Sequence, residues 1–492
     1  MTYKPEAFDY ESVFPSKRRI PRDPELEAQD RGFAAPKIDL PSEPKAESST
    51  EKEKPPSFVS VEAGKWLDRR GHTLTFACLF LFTVVLYFRP YELIPSLSSF
   101  KSMAFYVGVI TLTVYAVSQF SLEGNLTARP TEVNMALLVG LAALLSIPLA
   151  IDPAEAWNEF YELLIKTLLI FVVIVNVLRT ERRLKLLFFL VLAVSVYLSI
   201  HAIGDYRAGI FKIGAEETNT LRIAGAIRGL FDNSNDLALH LVTIAPISIA
   251  LGLEKKGVLR KIIFFSIALL MIVAIVVTFS RGGFLGLIAM VLVLARKLGR
   301  RNKTAAMATI VLAVVLFLVA APATYSGRLA TIFDSGSDIT GSSSQRTQVL
   351  KRSILVALRY PLFGVGIGNF HHKSFQELGT HNAYTQVAAE TGIAAMIAYI
   401  IFLVHPLKKL RMIERELFER NEWSRFYYLS IGLQASLIAY MVASFFAAVA
   451  YQWYIYYLVG YAIALRRLYY FDELRKGSGA MSQSPVPVHE TL

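Results

Sequence analysis

The chain has one cysteine in 492 residues, Cys78. It can form no internal disulfide and no cysteine metal cluster, and it reads as a small lipid- or core-facing side chain. Charge is sparse as well. Asp, Glu, Lys and Arg together make 18% of the chain, below the roughly 25% of ordinary globular domains. No apolar region follows the start, so a signal peptide is not expected. Gly364, Gly366 and Gly368 are not followed by Lys-Ser/Thr, and no strand pattern precedes them. That excludes a phosphate-cradling P-loop and a dinucleotide fold. The net charge of +12 has no basic stripe interleaved with aromatics, so no nucleic-acid partner is expected.

What the chain has is apolar length. Hydrophobic residues make up 54%, and the mean hydropathy is +0.44. Twelve apolar runs recur, at 73–88, 102–119, 133–150, 163–178, 184–203, 236–253, 260–279, 282–296, 304–321, 385–404, 427–448 and 450–466. Their lengths suit bilayer spans of ~20 residues. The expected fold is an all-α polytopic membrane protein of about twelve transmembrane helices over residues 71–467. Lys and Arg cluster in alternate connections, such as Arg179 to Lys185, Lys255 to Lys261, Arg296 to Lys303 and Lys408 to Arg425. The positive-inside rule places these connections, and both termini, in the cytoplasm.

Residues 1–70 are rich in Pro, Glu, Lys and Ser, as in Glu51-Lys52-Glu53-Lys54-Pro55-Pro56. Such a segment buries too little apolar surface to offset its ordering entropy. It is expected to be a disordered cytoplasmic spacer, with docking of a cytoplasmic partner as the alternative. Residues 468–492 read as a second cytoplasmic tail.

Two long connections, 204–235 and 322–384, fall on the extracytoplasmic side although they are rich in Arg, Lys and His. Cations placed there suggest an anionic ligand. In the second connection, Ser343-Ser344 reads as an N-cap for a surface helix from Gln345 to Arg359. Its expected apolar side is Val349, Ile354, Leu355 and Leu358, and Arg346, Lys351, Arg352 and Arg359 supply its charge.

Arg281 follows an apolar run with essentially no loop, in Phe279-Ser280-Arg281-Gly282-Gly283. An ionisable residue at the membrane boundary is expensive and points to function, and the glycines let a backbone or ligand approach closely. Snorkelling to headgroups is the simpler alternative. Arg222 and Arg228 stand beside glycines in the first long connection, and a guanidinium fork matches phosphate oxygens. The run Asp232 to Asp236 lacks the Gly and Glu of a calcium loop, and Asp232 or Asn233 is expected to cap the next helix. His371-His372 reads as a solvated pair. His381 stands beside Asn382 at the lip of an apolar helix carrying Glu390 and Gly392 in its first turns. A neutral imidazole there can take a proton near pH 7, and the helix N-terminus favours the neutral form. No second ligand at helical spacing faces His381, so no metal site is expected.

These residues together resemble the O-antigen ligase and O-antigen polymerase superfamily of membrane glycosyltransferases. Three blocks carry the resemblance: Arg222 to Ala238, Ser280-Arg281-Gly282, and Gly364 to Phe370 followed by His381-Asn382-Ala383-Tyr384 and Glu390-Thr391-Gly392. It covers about residues 200–405, and the family's usual Pro before Asn235 is Ser234 here. The resemblance implies metal-independent, inverting transfer of a polyprenyl pyrophosphate-linked saccharide, with no cofactor. The acceptor would be a glycan, a lipid A core or another hydroxyl, reached at the outer face of a bacterial inner membrane among membrane lipids. Arg281 and His381 match the family's arginine and histidine. Arg222 or Arg228 matches the first-loop arginine that helps bind pyrophosphate. Asn235, Gly366, Gly368, Asn382 and Glu390 are supporting residues. Ligase, polymerase and protein O-oligosaccharyltransferase activities all remain open. A transporter is the competing class, but transporters place ionisable groups near the midplane on broken helices.

Overall fold

The computed structural model describes residues 72–93, 102–213, 221–227, 230–231, 233–254, 257–300, 342–374 and 377–482, with isolated positions 96, 303, 304 and 307. The expected tail 1–70, nearly all of the run 304–321, residues 322–341, and positions 228, 232 and 483–492 lie outside the described residues.

The helices follow in chain order. They are α1 (Thr73–Phe88), α2 (Met103–Glu123), α3 (Thr131–Ser146), α4 (Pro153–Glu159), α5 (Ile165–Val177) and α6 (Glu181–Arg207). Two-residue strands β1 (Lys212–Ile213) and β2 (Leu221–Arg222) pair antiparallel. Then come α7 (Ser234–Glu254), α8 (Val258–Val277), α9 (Arg281–Gly299), α10 (Ser342–Arg359), α11 (Ala383–Thr391), α12 (Ile393–Glu419), α13 (Arg425–Ala443) and α14 (Trp453–Ser482). The starts are chemically marked. Asp152 caps α4 ahead of Pro153, and Thr180 caps α6 by accepting from the Arg183 N–H. Each satisfies a backbone donor that the first helical turn leaves open.

Ten helical segments among the described residues are long and apolar enough to cross a membrane. Each matches one of the twelve expected runs. Of the other two, 304–321 lies outside the described residues, and 450–466 falls in α14, which is helical but not one of the ten. α14 runs on to Ser482, so the segment expected as a tail from 468 is helical at its start.

The bundle is graded from centre to rim. Along its most apolar window, α7 is 83% buried, whereas α2 is 17% buried. α7 packs against α8 and α13, and α13 packs against α9, α12 and α14. α14 brings Tyr454, Tyr456, Tyr457 and Tyr461 into this centre. Tyr457 Oη and Thr83 Oγ1 lie 3.0 Å apart, and Tyr399 Oη and Tyr440 Oη 2.8 Å apart, so two of these contacts are polar. At the rim, α2 exposes Phe105, Tyr106, Ile110, Val117 and Phe120, as expected of a surface whose solvent is hydrocarbon.

Two expectations about the segment 342–404 change. The first is the run 385–404, expected as one helix. It breaks at Gly392, which has φ +96°. A Cβ at Gly392 would lie 2.2 Å from the Leu362 carbonyl oxygen, so the chain passes too close there for any other residue. The Pro361–Gly368 loop fills the break. Val365 N–H donates to Ala389 O at 2.9 Å, Gly366 N–H to Glu390 O at 3.0 Å, and Ile393 N–H to Pro361 O at 2.8 Å. These bonds satisfy the carbonyls left open at the end of α11 and a donor left open at the start of α12. The second is the packed face of α10, which is Val349, Ser353, Val356 and Ala357. Val349 is buried as expected, but Ile354, Leu355 and Leu358 are exposed. The helix also begins at Ser342, so Ser343 and Ser344 are inside its first turn rather than before it.

Candidate active site

α8 ends and α9 begins with three residues between them, Thr278, Phe279 and Ser280. Phe279 takes φ +57°, an uncommon conformation for a bulky residue. Ser280 then caps α9, its Oγ accepting from Gly283 N–H at 3.2 Å. The same hydroxyl donates to Asn235 Oδ1 at 2.8 Å. Asn235 N–H in turn donates to Asn233 Oδ1 at 2.8 Å, so Asn233 is the residue that turns the chain into α7. Arg281 is the first residue of α9 and is anchored by this chain of bonds. Gly282 and Gly283 make the approach possible: a Cβ there would lie 2.9 Å from Phe446 Cβ and 2.5 Å from Ala238 Cβ, respectively.

From the other side, Asn382 caps α11, its Oδ1 accepting from Tyr384 N–H at 2.9 Å and Thr385 N–H at 3.0 Å. His381, just before the cap, has φ +50°, a region that histidine visits more readily than most residues. Tyr384 Oη donates to Met441 O at 2.8 Å, and Ala450 N–H to Gln386 Oε1 at 3.3 Å. These two bonds hold α11 against α13 and its exit.

Arg281 and His381 line one cavity of about 350 Å³. Its other walls are Leu285, Arg346, Thr347, Leu350, Thr380, Asn382, Phe445 and Phe446. The space is thus built from the starts of α9, α10 and α11 and the end of α13. Two guanidinium groups and an imidazole face it beside apolar and aromatic walls. Asn382 Nδ2 and Thr380 Oγ1 are buried there without a hydrogen-bond partner among the described residues. Buried polar atoms left unpaired cost on the order of 1–3 kcal/mol each, so this lining suits a ligand that brings oxygen atoms.

The remaining expected site residues fall elsewhere. Arg228 lies outside the described residues, and Arg222 is known here only as backbone in β2. Asn235 supports Ser280 from behind the cavity wall. Gly366 and Gly368 pack against Ala150 and Glu159, where a Cβ would come within 2.3 and 3.1 Å. They are close-packing positions and do not line the cavity. Glu390 is 5% exposed near the end of α11. Burial pushes its carboxyl up to about 8, and the neighbouring Glu159 adds to the rise.

Arg346, Thr347, Thr380 and the Phe445-Phe446 pair were not singled out as site residues by sequence. Arg346 was visible as a cation in a helix expected on the extracytoplasmic side, but its neighbours Lys351, Arg352 and Arg359 carried the same signal. Only the packing of α10 on α11 separates them.

Residues 266–400 match the family model described as O-antigen ligase. The match supports the O-antigen ligase superfamily for this chain. It spans Arg281, α10, the glycine loop, His381, Asn382 and Glu390, and stops short of Asn235 and the first-loop arginines. No curated protein matches the chain.

Proposed function

Starting from a multi-pass membrane protein with an O-antigen ligase domain at residues 266–400, we propose that it transfers a saccharide from a polyprenyl pyrophosphate carrier to a hydroxyl acceptor. The reaction takes place on the extracytoplasmic face of a bacterial inner membrane, in surface polysaccharide or lipopolysaccharide assembly. The observation that carries this reading is the convergence of Arg281, Arg346 and His381 on one cavity.

The steps follow from those groups. The acceptor oxygen attacks the anomeric carbon, and the carbon–oxygen bond to the pyrophosphate breaks with inversion. Negative charge grows on the departing pyrophosphate, which leaves on its lipid. Arg281 and Arg346 offer guanidinium forks to that charge, and either Arg222 or Arg228 joins them from the first long connection. The route is metal-independent: fixed side-chain charges meet the leaving group. His381 takes the proton from the acceptor hydroxyl. Asn382 Nδ2 and Thr380 Oγ1 bind sugar or phosphate oxygens. Phe445, Phe446 and Leu285 form the apolar wall past which a lipid-borne donor arrives from the bilayer. Twelve spans with both termini in the cytoplasm fit this placement, and residues 1–70 would then face the cytoplasm.

The test is complementation of a deletion strain with Arg281→Ala and His381→Ala. Both variants are expected to reach the membrane in wild-type amounts and to fail to restore glycan transfer; full activity in both would sink the proposal. Glycan analysis of the deletion strain separates the activities within the class. Loss of long chains with single units still attached indicates a polymerase. Loss of every attached unit, with lipid-linked glycan accumulating, indicates a ligase acting on a lipid A core. Glycan missing from protein Ser or Thr indicates protein O-oligosaccharyl transfer.

A further inference from the structure

A second cluster with ligand chemistry lies outside the cavity. Glu155 on α4 faces His371 and His372 of the one-turn segment Asn369–Lys373. His372 Nε2 is 2.8 Å from Glu155 Oε2, and His371 Nε2 is 3.5 Å from Glu155 Oε1. The three side chains each turn one ligand atom inward, and all of these atoms lie within 4.8 Å of one another. Two ligands ~2.1 Å from a tetrahedral ion stand about 3.4 Å apart, close to the 3.5 Å between His371 and Glu155. The pair expected to be merely solvated is therefore gathered on a carboxylate.

The outer hydrogen bond of His371 suits a metal. His371 Nδ1 lies 3.0 Å from the Gly368 carbonyl oxygen. That oxygen can only accept, so Nδ1 carries the hydrogen and the Nε2 lone pair of a neutral ring points at Glu155. Two acceptors facing each other repel unless a cation lies between them, either a metal ion or the ring's own second proton. A backbone carbonyl holding the far nitrogen is also the usual support for a metal-bound histidine.

We propose that Glu155, His371 and His372 form a binding site for a divalent transition-metal ion of the zinc type. Two imidazoles and one carboxylate suit zinc, whereas calcium and magnesium take oxygen ligands. His372 is 34% exposed and Glu155 39%, which leaves a fourth position for water. The ion takes no part in the transfer reaction. It clips α4 to the segment that leads toward His381, beside two bonds that already join them: Asp152 N–H to Asn369 Oδ1 at 2.6 Å and Ile151 N–H to Val365 O at 3.1 Å. This site stands independently of the proposed activity.

The experiment uses the full chain, purified in detergent through a histidine-free tag, treated with chelator and titrated with zinc chloride by calorimetry. One zinc per chain is expected to bind, undisturbed by excess magnesium, and to raise the thermal unfolding temperature. Cobalt(II) in place of zinc is expected to give the intense visible absorption of a near-tetrahedral site. The double variant His371→Ala/His372→Ala and the shape-preserving Glu155→Gln are each expected to lose at least about tenfold in affinity. They are compared as monodisperse protein, and Glu155→Gln decides the matter if the double variant does not fold. Equal zinc affinity in the wild type and the folded variants would overturn the site. So would an absence of zinc uptake by the wild type, leaving the three side chains as a hydrogen-bonded ion pair only.

Discussion

Arg466 and Arg281 both stand on long helices of an apolar bundle, and their surroundings differ in kind. Arg466 is 4% exposed and meets Glu132 at 2.8 Å, while His405 Nδ1 lies 2.9 Å from the same carboxylate. Glu414, 1% exposed, likewise binds both Lys297 and Arg300, and Arg179 pairs with Glu123. These charges are closed on themselves, and the pairing is what makes burial tolerable. Arg281 instead shares a cavity with Arg346 and His381, beside unpartnered Asn382 and Thr380 atoms. The depth of an arginine in an apolar bundle therefore does not by itself separate these two settings.

Four changes would break or sharpen this contrast. Glu132→Ala should have the largest effect on the fold, because it removes the buried carboxylate that Arg466 and His405 meet. A loss of about 3–5 kcal/mol is expected, seen as a large drop in thermal unfolding temperature, with transfer per folded molecule kept. Arg346→Ala should do the reverse. Transfer should fall about 100-fold, in the range of losing one preorganised charge donor, while thermal stability stays within error and Arg346→Lys recovers part of the rate. If Arg346→Ala left transfer intact, α10 would be a lid support and not part of the charge clamp.

Gly366→Ala should fall between the two. Its backbone has φ +101°, and the new Cβ would meet Ala150 at 2.3 Å. A cost on the order of 1–3 kcal/mol is expected, with reduced transfer because the same loop docks α11. The fourth is a pH slope. Glu390 keeps its proton up to about 8 when folded and loses it near 4.5 when unfolded. Between those values the unfolded state binds fewer protons, so stability falls as pH rises. Thermal unfolding of the wild type measured from pH 5 to 8 should show that decline, and Glu390→Gln should flatten it. An unchanged slope would mean that another group titrates.

Much of this was legible locally. Ten expected spans overlap long apolar helices because hydropathy over a score of residues is a short-range property. A helix start at Asp232 or Asn233 was legible for the same reason, and it is the Asn233 side chain that bonds to an amide two residues on. The break at Gly392 was not, because the reason for it is Leu362, thirty residues earlier in the chain. The exposed face of α10 was not either. Val349, Ile354, Leu355 and Leu358 are equally apolar in sequence, and only contact with α11 and the glycine loop buries the first and leaves the rest outside.

The sequence by itself determined a multi-pass helical membrane protein and pointed to the O-antigen ligase superfamily, with Arg281 and His381 as candidate site residues, because runs, caps and motifs are written within a few turns of chain. Only the tertiary structure decided that these two share a cavity, that Arg346 joins them, and that Gly366 and Gly368 pack against neighbouring segments and leave the cavity lining to others. The residues concerned are separated by many turns of helix, and no local pattern encodes how those helices meet.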